Sequence, residues 1–92
     1  MSRYKVELVY DAKKKYSRVR PVAGQGKEPW WVRFPRKLRQ DYPVGHIFLC
    51  GLKDLKGHYS ATGDILTQVE EGGKLYVRVY TSKGVLKASK PI

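Results

Sequence analysis

The sequence predicts an all-β fold, a small barrel of five to seven short antiparallel strands, and three observations lead to it. Apolar and polar side chains alternate with a period of two in several short runs, which is typical of strands with one face in a core. Glycine, proline and other turn-forming residues recur between these runs. The chain has 92 residues, the size of one domain, so residues 1–92 are predicted to form a single barrel.

The first two strands are predicted on either side of a basic loop. Residues 4–10 alternate between apolar and polar side chains and favour a strand. Residues 11–15 contain three consecutive lysines without an apolar period, which indicates a hairpin loop. Residues 16–22 resume the alternation, and residues 23–29, with two glycines and a proline, are predicted to form a flexible loop. The outward side chains of the second strand are predicted to be Tyr16, Arg18 and Arg20.

A third strand is predicted over residues 30–34, which include both tryptophans. The period of two places Trp30, Val32 and Phe34 on the core side and leaves Trp31 and Arg33 on the outer side. Proline ends the strand at position 35, because proline cannot donate a hydrogen bond to a sheet. Residues 36–42 fit a short helix or a basic loop equally well, with Leu38 pointing inward.

The second half of the chain is predicted to form four further strands. Residues 46–52 are apolar at both alternating positions, which predicts a strand buried on both faces or one that crosses between two sheets. Residues 60–69 form the next strand, with a bulge or bend at Gly63, and residues 85–88 form the last. Residues 75–80 form the clearest amphipathic strand, with leucine and valine on the core side. Its outward side chains are predicted to be Tyr76, Arg78 and Tyr80.

Two barrel types fit this order of strands. A barrel of the oligonucleotide-binding type fits if residues 36–42 form a helix, and an SH3-like barrel fits if they form only a turn. Both remain open at the level of the sequence.

The charge of the chain predicts a polyanionic partner. Lys and Arg number 19 against 8 Asp and Glu, a formal net charge of +11, whereas small soluble domains need a magnitude of only about 2 to 8. The hydrophobic fraction of 41% predicts a folded domain rather than a basic tail. Nucleic acid is the partner that this composition favours.

The single cysteine, Cys50, excludes a disulfide within one chain and predicts a reducing, intracellular compartment. We expect a cytoplasmic protein, with a nucleoid-associated or viral setting included. No apolar run reaches the roughly 18 residues of a membrane-spanning helix, and no secretory signal is evident, so no membrane partner is predicted.

The three outward sets predict a surface that binds single-stranded DNA or RNA with low sequence specificity. Aromatic rings stack on exposed bases, whereas the bases of a duplex are already stacked on each other, and the interleaved arginines hold phosphates. Trp31 is the expected main stacking group. The other predicted binding residues on these strands are Tyr16, Arg18, Arg20, Arg33, Tyr76, Arg78 and Tyr80. The predicted basic loops add Lys13, Lys14, Lys15, Arg36, Lys37 and Arg39.

Other functions are less favoured by the sequence. His46, Cys50 and His58 lack the paired spacing of a zinc site, so no metal or other cofactor is predicted. No nucleophile and base, paired acids or phosphate-binding loop can be recognised, so the protein is predicted not to be an enzyme. The alternative is an SH3-like module that binds a proline-rich or acidic protein through its aromatic face. A small RNA-cleaving barrel of the toxin type ranks below both.

Overall fold

The computed structural model describes residues 2–92, which form a closed five-strand barrel, two additional strands and one short helix. The predicted all-β fold with one short helix is confirmed. The elements are β1 (Tyr4–Asp11), β2 (Tyr16–Pro21), β3 (Val32–Arg33), α1 (Arg36–Asp41), β4 (Ile47–Leu55), β5 (His58–Glu71), β6 (Lys74–Tyr80) and β7 (Leu86–Pro91).

The barrel closes in the order β1, β2, β3, β5, β4 and back to β1. Strand β3 pairs with the first part of β5 in parallel, where Val32 lies opposite Tyr59. The prediction of antiparallel strands throughout is therefore wrong at this one junction. Parallel neighbours need a crossover connection, and α1 with β4 provides it.

The core contains the inward side chains of the barrel strands and one residue of the helix. In β1 and β2 the predicted alternation is confirmed, since Val6, Leu8 and Val19 are buried. Leu38 of α1 is also fully buried, as predicted for the inward position of this segment. Burial raises the pKa of the Cys50 thiol to about 12, so this core cysteine stays protonated at neutral pH.

Strand β5 is shared between the barrel and the two additional strands. Its first part pairs with β3 and β4, and its last part pairs with β6. The predicted bend at Gly63 is confirmed by a φ of +68°, and the pairing with β4 shifts register between Leu49 and Gly51. A Cβ atom on Gly51 would lie 2.7 Å from Oγ1 of Thr62, so the close approach of the two strands requires glycine.

Strand β4 is not buried on both faces, so the first of the two alternatives predicted for residues 46–52 is wrong. Phe48 and Cys50 are fully buried, but Ile47 and Leu49 are 41% and 37% exposed. The barrel wall is a single layer, and no second layer within residues 2–92 covers the outer side of β4. An apolar surface is therefore open to solvent there.

The two faces of β6 are reversed relative to the prediction. Tyr80 lies opposite the fully buried Ile65 and is only 9% exposed, whereas Leu75 is 50% exposed. Tyr76 and Arg78 share the side of Tyr80 because side chains alternate along the strand. None of these three residues points to the outer side of the sheet.

The only helix within residues 2–92 is α1, far too short to cross a membrane.

Candidate nucleic-acid interface

The outer side of β2 and β3 carries a group of basic and aromatic side chains. Val19 of β2 lies opposite Val32 of β3, and both are buried in the core. The neighbours of these valines therefore point away from the core. We call this group the basic platform, and its members are Arg18, Arg20, Trp31 and Arg33. Two of the three side-chain sets that the sequence predicts to face outward thus share one surface.

Trp31 is the aromatic centre of the basic platform. The Cζ atom of Arg18 lies 4.4 Å from the centroid of the indole ring, within cation–π range. Arg18 in turn places Nη1 3.1 Å from Oδ2 of Asp11. The guanidinium covers one face of the indole and is held there by an ion pair. Trp31 itself is partly exposed, so it is not a core residue.

Asp11, at the end of β1, organises the lysine loop beside the basic platform. Its Oδ1 accepts hydrogen bonds from the backbone N–H groups of Lys13 and Lys14, at 2.9 and 3.4 Å, and its carbonyl oxygen accepts one from the N–H of Lys15. Burial acts to raise the pKa of the Asp11 carboxyl, but the hydrogen bonds from Arg18 and the two lysine N–H groups outweigh it and lower the pKa. The ionised carboxylate therefore fixes both the loop and Arg18.

Strand β5 extends the basic platform on the side of β3. Tyr59 points into the core and donates its backbone N–H to the carbonyl oxygen of Trp31, at 3.0 Å. Its neighbours His58 and Ser60 therefore lie on the outer side, and Ser60 pairs with Arg33 on one flank and Lys53 on the other. Sequence reasoning missed these residues, because their place beside Trp31 follows from the parallel pairing of β3 and β5, which no local pattern signals.

Helix α1 is attached to β2 beside the basic platform. Arg39 donates from Nη1 to the carbonyl oxygen of Ser17, at 3.1 Å, and its guanidinium lies over the ring of Tyr16. Arg39 thus has a structural role in joining helix and strand. Tyr16 and Arg36 line the cleft that remains between them, and Lys37 is exposed on the helix. These three stay predicted binding residues.

Trp30 is not in the core, contrary to the prediction. It is 37% exposed, and its ring packs on that of Tyr59 with 5.2 Å between centroids. Strand β3 begins only at Val32, so the period of two that places residue 30 inward does not reach it. The chain therefore presents two partly exposed indoles in succession.

Tyr76, Arg78 and Tyr80 lie on the other side of the sheet from the basic platform. The hydroxyl groups of Tyr80 and Tyr42 are 2.6 Å apart, and Arg78 forms an ion pair with Glu71. Burial and the hydrogen bond with Tyr42 raise the pKa of Tyr80 to about 12. The structure thus separates the third predicted set from the other two.

His46 packs beside Tyr42, with 4.4 Å between the ring centroids. Its Nε2 atom lies 2.6 Å from Oγ1 of Thr67, and the Thr67 hydroxyl donates its one hydrogen to the carbonyl oxygen of Ile47. Thr67 must therefore accept from His46, which places the proton of the neutral imidazole on Nε2. Burial lowers the pKa of His46, because desolvation disfavours the imidazolium ion.

We expect the stability of the fold to decrease as the pH falls through the histidine range. The unfolded chain protonates His46 near its ordinary pKa of 6.5, whereas the folded chain does so only at lower pH, so the unfolded state is favoured progressively between the two values. Thermal melts from about pH 8 to about pH 5 should show a decrease in Tm that His46→Gln reduces, since glutamine donates to Thr67 without titrating. His58→Gln is the control and should keep the wild-type decrease. A wild-type Tm that does not change over this range would contradict the assignment.

Comparison of the chain with protein-family models, curated proteins and solved structures finds no match. What the site can bind is therefore inferred from its geometry.

Within residues 2–92 no group of three or more His, Cys, Asp and Glu side chains is placed to hold a metal ion. Four ion pairs join side chains in the same range, and Arg20 and Arg33 belong to none of them. Their charges are available to an anionic ligand.

Proposed function

We propose that the protein binds single-stranded DNA or RNA, with low sequence specificity and without enzymatic activity, through the basic platform. The observation that carries the proposal is the single outer surface that combines a partly exposed indole with the guanidinium groups of Arg20 and Arg33, which form no ion pair within residues 2–92. An indole stacks on any base, and guanidinium groups hold phosphates or stack in turn. The net charge of +11 supplies long-range attraction.

The order of the strands and the position of the helix support a barrel of the oligonucleotide-binding type over an SH3-like one. The criterion that separates them is a helix rather than a turn over residues 36–42, and α1 occupies Arg36–Asp41. Barrels of this type bind oligonucleotides on the face of strands 2 and 3 and with the loops between strands 1 and 2 and between strands 4 and 5. The basic platform lies on β2 and β3, and Lys13, Lys14 and Lys15 form the first of these loops.

Single strands are the expected ligand because stacking needs an exposed base face. In a duplex the base faces are covered, and a nearly flat sheet surface can reach only the phosphates. The platform spans only the outer side of two or three strands, so it suits a few nucleotides, and its side chains offer no matched set of donors and acceptors for one base. Low sequence specificity follows from this composition.

Titration of fluorescently labelled oligonucleotides at several salt concentrations tests the proposal. Single strands are expected to bind more tightly than duplexes of the same length, with log K falling against log salt by about 0.7 for each phosphate neutralised. Equal or tighter binding to the duplex would remove the stacking role of the platform. A proline-rich or acidic protein that binds this surface while oligonucleotides do not would replace the proposal with the protein-binding alternative.

Asp11→Asn is expected to strengthen binding several-fold at low salt. Asp11 places a negative charge beside the site where phosphates are proposed to bind and neutralises Arg18; at about 4 Å in water such a charge is worth about 1 kcal/mol. The salt dependence should steepen by about 0.7, because Arg18 becomes one more cation for the strand. The same titration measures both quantities.

Asp64→Asn is the matched control for this substitution. It also raises the formal charge by one, but Asp64 lies in β5 and pairs with Lys87 of β7, not with a residue of the basic platform. It should leave the affinity close to wild type. If both substitutions strengthen binding equally, the effect is one of net charge and Arg18 is not part of the site.

A further inference from the structure

A second outer surface of the same sheet carries an apolar strip that runs across strands β4, β5 and β6. The strand pairings align its side chains in two neighbouring rows. The first row contains Glu7, Ile47, Gln68, Val77 and Lys90. The second row contains Lys5, Leu49, Leu66, Val79 and Ala88. The five large apolar residues at the centre of these rows, Ile47, Leu49, Leu66, Val77 and Val79, are the apolar strip.

The apolar strip is open to solvent and slightly recessed. Ile47 and Leu49 are exposed large hydrophobic residues, and Leu66 and Val77 keep intermediate exposure. Together with Lys5 and Gln68, these side chains line a cleft. At about 4.8 Å per strand, the rows from β1 to β7 are roughly 19 Å long. A contiguous apolar surface of this kind on a small domain marks an interaction surface.

The charges at the β1 end of the rows indicate what covers the strip. Glu7 precedes the apolar residues in the first row, and Lys5 precedes them in the second. Within residues 2–92 neither forms an ion pair with another side chain. A two-fold axis can lie in the plane of the surface, perpendicular to the strands and midway between the rows. Rotation about this axis places the first row of one copy over the second row of the other. It therefore brings Glu7 of one copy over Lys5 of the other, and Lys5 over Glu7.

We propose that a second copy of this chain covers the apolar strip, face to face, with two reciprocal Lys5–Glu7 ion pairs at one end. The same axis places Ile47 over Leu49, Gln68 over Leu66 and Val77 over Val79, so that two apolar contacts flank one polar residue in each pair of facing rows. Two twisted sheets pack in this way when their strands are nearly aligned. The proposal does not depend on nucleic-acid binding, since none of the residues of the apolar strip belongs to the basic platform.

The edge of the sheet is less suited to self-association than its face. Strand β7 ends the sheet, and no strand within residues 2–92 pairs with its outer edge, but it carries Lys87, Lys90 and Pro91. Lysine and proline on an edge strand oppose pairing with another strand.

Two copies that each carry +11 also repel one another, so the dimer should strengthen as salt screens this repulsion. Strand binding has the opposite dependence on salt.

Sedimentation of the full chain without nucleic acid tests the proposal. A monomer–dimer equilibrium is expected, with a dissociation constant that decreases as salt increases. Leu49→Lys should raise that constant at least ~100-fold, because it buries an unpaired charge in the interface. Val44→Lys adds the same charge at an exposed valine outside the strip and should have little effect. Thermal melts of both variants verify that they fold.

Charge exchange tests the predicted pairing itself. Lys5→Glu lowers the charge of each copy from +11 to +9, so general repulsion alone predicts a tighter dimer, whereas the Lys5–Glu7 pairs predict one weaker by about 10-fold. Adding Glu7→Lys to the same chain should restore the wild-type dissociation constant. A chain that stays monomeric up to about 1 mM, a dimer unaffected by Leu49→Lys, or a Lys5→Glu variant that dimerises more tightly overturns the proposal. Tight binding of an unrelated protein to the strip of a monomeric chain does so as well.

Discussion

Trp31→Ala is expected to weaken binding of single-stranded oligonucleotides by about 1–3 kcal/mol, or roughly 5- to 150-fold. The indole is the largest aromatic surface on the basic platform, and its loss removes the ring on which a base is proposed to stack. The free energy of unfolding should change by less than about 1 kcal/mol, because Trp31 is partly exposed and its main partner is the guanidinium of Arg18. Fluorescence anisotropy and thermal melts measure the two effects separately.

Two variants make this result specific to stacking on the platform. Trp31→Phe keeps an aromatic face and should retain most of the affinity. Tyr76→Ala removes a ring from β6 on the side of the sheet away from the platform and should leave binding unchanged. If Tyr76→Ala weakens binding as much as Trp31→Ala, the binding surface is not the one proposed. If Trp31→Ala unfolds the domain, the ring has a structural role instead.

The strands that carry the platform were predictable because one neighbour in each alternating pair is a strong core residue. In β2 the buried Val19 determines that Arg18 and Arg20 face outward, and Val32, the first residue of β3, does the same for its chain neighbours Trp31 and Arg33. The period of two needs no long-range information when one face is clearly apolar.

The same rule was wrong for β6, where both faces carry large side chains. Leu75, Val77 and Val79 are more apolar than Tyr76 and Tyr80, so hydrophobicity alone places them inward. Tyr80 is nevertheless the buried residue, because Tyr42 satisfies its hydroxyl group from a position 38 residues earlier in the chain. The hydrogen bond with Tyr42, from a distant segment, allows the tyrosine face of β6 to be buried. The periodicity of the sequence cannot indicate such a partner.

Long-range pairing also explains the residues that the sequence did not indicate. His58 and Ser60 lie beside the platform because β5 closes the barrel against β3. Ile47 and Leu49 are exposed because nothing within residues 2–92 covers the outer side of β4, although an apolar run of this kind is typical of a strand buried on both faces. The first case adds polar residues to the proposed site. The second leaves an apolar surface on the same continuous sheet.

The platform and the apolar strip are joined through β1, which allows one function to support the other. Glu7 lies opposite Arg20 on one side and Ile47 on the other, so the two surfaces are neighbours around the barrel wall and do not overlap. A dimer formed through the strip would keep both platforms uncovered. Two linked sites on one strand bind with a higher effective concentration than two separate ones.

Replacing Arg20 and Arg33 together by glutamine is expected to cause the largest salt-dependent loss of affinity for single strands. Each arginine is free of ion pairs within residues 2–92 and stands beside Trp31. If each neutralises one phosphate, the slope of log K against log salt should become less steep by about 1.4. The variant and the wild type should then bind alike near 1 M salt and differ by about 60-fold near 50 mM. Titration of one labelled single strand across this range measures the slope directly.

The control must remove the same charge from another place. Lys74→Gln with Lys90→Gln also lowers the formal charge from +11 to +9, but these exposed lysines lie at the start of β6 and in β7. Beyond a Debye length of about 10 Å, a charge contributes little at 0.1 M salt, so this variant should keep a slope close to that of the wild type. Equal slopes for the two double variants would mean that the strand responds only to net charge. A smaller slope for the platform variant alone would mean that phosphates bind beside Trp31, where the stacking of bases requires them to be.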